Sequence, residues 1–124
     1  MRCCRLLSLT ALSLVVMSAS PAASQDSHAR EALQHAQAAA MQGKLDYPDD
    51  LVKQAKEALK QAQQAAKGST NPHLTSGISA LEKAIEHGRA GHNAEATKAA
   101  EEAVTHLSQV TDAPAEASPG DSGY

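Results

Sequence analysis

The sequence predicts an all-α protein, an antiparallel four-helix bundle made of two repeated helical hairpins. Three observations carry that prediction. Apolar residues recur three and four apart, the seam pattern of packed helices. The chain matches itself when shifted by 45 residues, so one supersecondary unit occurs twice. Alanine is abundant while Phe and Trp are absent, which favours helices whose backbones approach closely around a thin core.

The first 24 residues are set apart from this fold. Arg2 and Arg5 precede an apolar run from Leu6 to Met17, and small residues follow, with Ala22 and Ser24 fitting a cleavage site. This is the layout of a secretory signal peptide, and the run is too short for a stable membrane anchor. The expected mature protein starts at Gln25 and resides in the periplasm. Cys3 and Cys4 both lie in this leader, so the mature chain would hold no disulfide and no thiolate.

The bundle is expected over 25–110, with repeat one at about 28–67 and repeat two at about 73–110. The shift of 45 sets His28 on His73, Ala39 on Ala84, Gly43 on Gly88, Lys53 on Lys98, Glu57 on Glu102 and Gln64 on Gln109. In repeat one, Leu33, Ala36 and Ala40 share a face of the first helix, and Leu51, Ala55, Ala58 and Ala62 share a face of the second. In repeat two the faces are Leu74, Ile78, Leu81 and Ile85, then Ala96, Ala100, Ala103 and Leu107. Gly43 and Gly88 stand where a helix should stop. Asn71 and Pro72 read as the cap and first residue of helix three, and Asn93 as the cap of helix four. Residues 111–124 are small, polar and proline-bearing, and read as a disordered tail.

The histidines fall on a single register. His28 and His35 are seven apart, and steps of seven through Ala80 and Ala99 join His73 to His87 and His92 to His106. Two helical turns separate such positions, so each series follows one edge of a helix beside the seam. Across an antiparallel hairpin, facing residues have numbers with a constant sum. In repeat two that sum is 179, pairing His87 with His92, Ala80 with Ala99, and His73 with His106. In repeat one it is 89, pairing His28 with Gln61, His35 with Gln54, and Gln42 with Tyr47.

The stretches HAREALQHAQ (28–37), GISALEKAIEHGRAGH (77–92) and ATKAAEEAVTHL (96–107) resemble the small periplasmic metal-binding proteins. These are short four-helix bundles with histidine at seven-residue steps. The resemblance covers roughly 28–109. It implies binding of divalent copper and related transition metals, and a role in buffering or scavenging metal in the periplasm. The family places His in almost every rim slot, whereas Gln42, Tyr47, Gln54, Gln61, Ala80 and Ala99 occupy such slots here.

The side-chain chemistry points the same way. With no thiolate and with Met41 as the single mature methionine, the candidate ligands are imidazoles, which suit Cu(II) first and also Ni(II) or Zn(II). The candidate metal residues are His87 with His92, His73 with His106, and then His35 and His28, which face glutamines. Glu86, Glu95 or Glu102 could complete a shell. Binding should weaken below about pH 6, where imidazoles protonate.

Other function classes find little support. The formal charge of −3 becomes −5 once Arg2 and Arg5 leave with the leader, and no basic stripe exists for nucleic acid. There is no HExxH run, no phosphate-binding glycine loop and no nucleophile spaced from a base, so no enzyme is expected. The helices lack the bulky apolar and lysine-rich faces of membrane-surface binders, and no membrane insertion is expected. The expected partners are metal ions, and the expected state is a monomer or weak dimer. The alternative is a metal-independent helical module that binds a protein of the cell envelope.

Overall fold

The computed structural model describes residues 21–112, all but the connections being helical. The helices are α1 (Pro21–Lys44), α2 (Pro48–Ala66), α3 (Pro72–Arg89) and α4 (Asn93–Asp112), and the described residues hold no strand. The expected leader up to residue 20, and the expected tail beyond residue 112, lie outside the described residues. A cut after Ser24 would remove the first four residues of α1. Helix α4 runs through Asp112, two residues past the expected end of the bundle.

The helices form a four-helix bundle in which each packs against two neighbours. Helix α1 lies against α2 and α4, α3 lies against the same two, and the α2–α4 diagonal is only lightly populated. None of these helices is long and apolar enough to cross a membrane.

Local chemistry explains the helix starts. Pro48 and Pro72 open α2 and α3, where proline's missing N–H costs nothing and its φ is already helical. Asp49 and Asp50 lie in the first turn of α2, favourable against the positive end of the helix dipole. The side chain of Asn71 accepts from the His73 N–H at 2.9 Å, the cap expected from sequence. Asn93 behaves otherwise. Its Oδ1 has no partner, so it caps nothing. Its Nδ2 instead donates across the bundle to the Gly43 carbonyl at 3.0 Å and to Asp46 Oδ1 at 2.7 Å. The Gly43 carbonyl, which also accepts the Asp46 N–H, thus takes a second donor from α4.

The helix stops also depart from expectation. Gly43 and Gly88 lie inside the last turns, and the residues that take positive φ are Asp46 (64°) and Gly91 (80°), themselves 45 apart. The two turns match bond for bond. Tyr47 N–H donates to the Gln42 carbonyl at 2.9 Å and Asp46 N–H to Gly43 at 3.1 Å; His92 N–H donates to His87 at 2.9 Å and Gly91 N–H to Gly88 at 3.2 Å. This pair of bonds is the Schellman motif, with Asp46 and Gly91 as its left-handed residues. Gly43 and Gly88 are instead places of close approach. A β-carbon on Gly43 would run into Thr97 and Leu51, and one on Gly88 into Val52.

The core is thin. Its buried apolar residues are fifteen alanines and six larger side chains, and Leu51, Leu74, Leu81 and Leu107 are the largest fully buried ones. Each of those leucines stands where the other repeat has alanine: Leu51 opposite Ala96 in the alignment, Leu107 opposite Ala62, Leu81 opposite Ala36, Leu74 opposite Ala29. Large and small residues thus alternate between the copies, which lets two similar hairpins fill one core. The expected α1 face is corrected by this packing. Ala29, Ala32, Ala36, Ala39 and Ala40 are buried, while Leu33 is only half-buried and covers the seam from its flank, as does its equivalent Ile78. The close α1 contacts leave room for methyl groups in the seam and push the bulkier side chain outwards.

Candidate metal centre

All six histidines lie along the rim of the core. His28, His35, His87 and His106 are half-buried, and His73 and His92 are exposed. Helix register places them there, since Ala29, Ala36 and Leu107, each next in sequence to a histidine, are buried.

The structure brings together the pairs that the constant-sum rule predicts. In the first hairpin His28 Nδ1 lies 2.7 Å from Gln61 Oε1, and His35 Nδ1 lies 2.9 Å from Gln54 Oε1. An amide oxygen only accepts, so Nδ1–H donates and each ring keeps Nε2 as its one free lone pair. In the second hairpin, histidine meets histidine. The rings of His73 and His106 have centroids 6.2 Å apart and planes 28° apart. Those of His87 and His92 are 6.1 Å and 37° apart. Both hairpins pair rising numbers on one helix with falling numbers on the next, so the two helices within each hairpin run in opposite directions. Between the second hairpin's histidine pairs sit Ala80 and Ala99, both buried.

The two pairs arise differently. His73 and His106 face each other through the α3–α4 register alone. His87 and His92 are the two ends of the long Schellman bond, so the turn itself holds their backbones 2.9 Å apart. The first hairpin uses the same turn to bring Gln42 to Tyr47.

The donor set fits a divalent metal in part. Bonds of about 2.0 Å to one ion would put two imidazole centroids roughly 4.5 to 6.5 Å apart, depending on the angle at the metal. Both second-hairpin pairs lie at the upper end of that range, so the rings must close by about 1 Å to reach a tetrahedral angle at one ion. His106 Nδ1 is buried without a hydrogen-bond partner, a state that ordinarily costs about 1–3 kcal/mol and that a bound ion or water would relieve. The same ring's Nε2 lies 4.0 Å from Glu102 Oε1, one of the carboxylates named from sequence. Glu86 and Glu95 are exposed. Among the described residues, no group of three or more His, Cys, Asp or Glu side chains converges on one point, so each pair supplies two ligands. Sequence reasoning missed Asn93 as a brace. Its signal, a polar residue after a glycine turn, is the same signal that marks a cap.

A small helical bundle with imidazoles paired across a hairpin carries the donor groups of a metal-binding protein. The chain is a member of the small metal-binding protein family, whose family model matches residues 1–110. No curated protein matches it.

Proposed function

We propose that this protein is an exported buffer or scavenger of divalent transition metals, Cu(II) foremost and also Ni(II) or Zn(II), bound by the histidine pairs of the second hairpin. The observation that carries this reading is the pairing itself: His73 with His106 and His87 with His92 at centroid distances of 6.2 and 6.1 Å. Neutral imidazole prefers these metals, and Cu(II) stands highest in the affinity order. Two nitrogens and exchangeable waters make an open site, suited to taking up and giving back metal rather than locking it in. His28 and His35 offer one free nitrogen each and serve as weaker sites. Export rests on the leader-like composition of residues 1–24 and on the confinement of both cysteines to it.

The test is calorimetric titration of Cu(II) at neutral pH into the purified protein, as the cell processes it, beside His73→Ala/His106→Ala and His87→Ala/His92→Ala variants. Saturable binding at micromolar affinity or tighter, with one site lost in each variant, supports the reading. Binding that is unchanged in both variants overturns it.

One feature favours the alternative of a protein-binding module. Met41, Leu45 and Tyr47 are large apolar side chains left more than half exposed at one end of the bundle.

A further inference from the structure

Both Schellman turns lie at the same end of the bundle. Asn93, next to His92, reaches Asp46, which lies between Leu45 and Tyr47. This end therefore combines the His87–His92 pair with the exposed trio Met41, Leu45 and Tyr47, at 61, 57 and 56% exposure. The trio is not a requirement of the turn. Its equivalents in the second repeat are Glu86, Ala90 and His92. One turn offers ligands and the other, tied to it, offers apolar surface.

We infer that this end is where two copies of the chain meet around a shared divalent ion, each copy supplying His87 and His92. The inference rests on the proposed metal binding and adds the partner. The pair is incomplete alone: it gives two nitrogens, and among the described residues no third His, Cys, Asp or Glu joins it. Ions that prefer imidazole commonly take four protein ligands when a site is closed. His92 is exposed, so a second copy can reach the ion it holds. A two-fold pairing uses one patch twice, which sets the apolar trio of each copy beside the shared ion and removes it from water.

Charge makes the pairing conditional on metal. Asp46, Asp49, Asp50, Glu86 and Glu95 lie at this end, Lys44 is tied to Glu101 at 2.7 Å, and Arg89 and Lys53, which share a cleft with Asp49, leave the end net acidic. Two such ends repel each other, and a divalent cation between them offsets the repulsion. The apo protein stays monomeric, and metal brings the copies together.

The experiment measures molar mass by light scattering during a Cu(II) titration, with calorimetry on the same samples. The variants are His92→Ala and Leu45→Ser/Tyr47→Ser. All three side chains are exposed, and circular dichroism confirms that the helices persist. The expected result is a doubling of mass on Cu(II) addition, reversed by a chelator and absent in His92→Ala. In Leu45→Ser/Tyr47→Ser the dimer weakens at least tenfold while calorimetry still registers the ion. A mass that stays monomeric while Cu(II) binds overturns this inference and leaves the proposed function standing. Dimerisation that persists in His92→Ala overturns it too, since another site then bridges the copies. Absence of binding in any form removes both readings.

Discussion

His73 lies against His106, ring to ring, at the position where the first hairpin sets His28 against Gln61. The repeat aligns His28 with His73 and Gln61 with His106. A single side chain thus separates a hydrogen-bonded pair from a potential two-nitrogen metal site. Gln61→His and Gln54→His should each convert a His–Gln contact into a facing His pair. The expected outcome is about one additional Cu(II) site per substitution. The lost neutral hydrogen bond should cost the apo protein about 1 kcal/mol or less, because the contact is only partly buried. Calorimetric stoichiometry checks the first effect, and urea midpoints without metal check the second. Unchanged stoichiometry would mean that facing geometry alone does not make a site.

Gly88 sits where a β-carbon would meet Val52 Cγ2, yet it is a helical residue with no special φ. Alanine there gains up to about 1 kcal/mol of helix propensity but forces overpacking that typically costs about 1–3 kcal/mol. Gly88→Ala should therefore destabilise on balance. Val52→Ala should rescue it, because the remaining neighbours, Leu51 Cδ2 at 3.5 Å and Ala96 Cβ at 3.8 Å, are ordinary contacts. A double-mutant cycle read by denaturant unfolding should show favourable coupling above about 0.5 kcal/mol. Additive effects would place the strain somewhere other than this contact.

The glycines show where sequence reading ends. The 45-residue repeat made two hairpins legible, and one fixed sum per hairpin made the His–His and His–Gln pairs legible, because helix period and hairpin register are arithmetic. Gly43 and Gly88 could not be placed by the same means. A glycine that ends a helix and one that admits a neighbouring side chain look alike in one dimension, and the neighbours, Thr97 for one and Val52 for the other, lie on helices of the other repeat or at its seam. Asn93 is illegible for a similar reason: its partners, Gly43 and Asp46, come from 50 and 47 residues away. Leu33 reads as seam from its three-and-four spacing with Ala36 and Ala40. With alanines lining α1, close packing excluded it.

Gly91 tests the link between turn and site. Its φ is +80°, and nothing lies within 4 Å of where a β-carbon would be, so Gly91→Ala changes backbone strain without a clash. The cost should be about 1–2 kcal/mol, the penalty for a β-carbon in the left-handed region. Because the Schellman bond from His92 N–H to the His87 carbonyl closes over Gly91, metal affinity at this pair should fall as well, while the His73–His106 pair stays unaffected. Calorimetry in a His73→Ala/His106→Ala background isolates the turn site. Full affinity there, together with lost stability, would separate the turn's structure from its binding.

Leu81 carries an unusual share of this core. It is one of four fully buried leucines among mostly alanine neighbours, and it lies on α3 between His73 and His87. Leu81→Ala should cost about 2–5 kcal/mol, which for a bundle of this size lowers Tm by roughly 10–30 °C. Metal should restore much of that loss. An ion that binds only the folded chain contributes about 2.7 kcal/mol when free metal is a hundredfold above Kd, and both second-hairpin pairs pin α3 to α4 on either side of residue 81. Thermal unfolding of Leu81→Ala with and without Cu(II) should therefore show a large upward shift at neutral pH. Removing all four second-hairpin histidines should abolish it. A shift of equal size without those histidines would locate the stabilising ion elsewhere, and a downward shift would mean that Cu(II) prefers the unfolded chain.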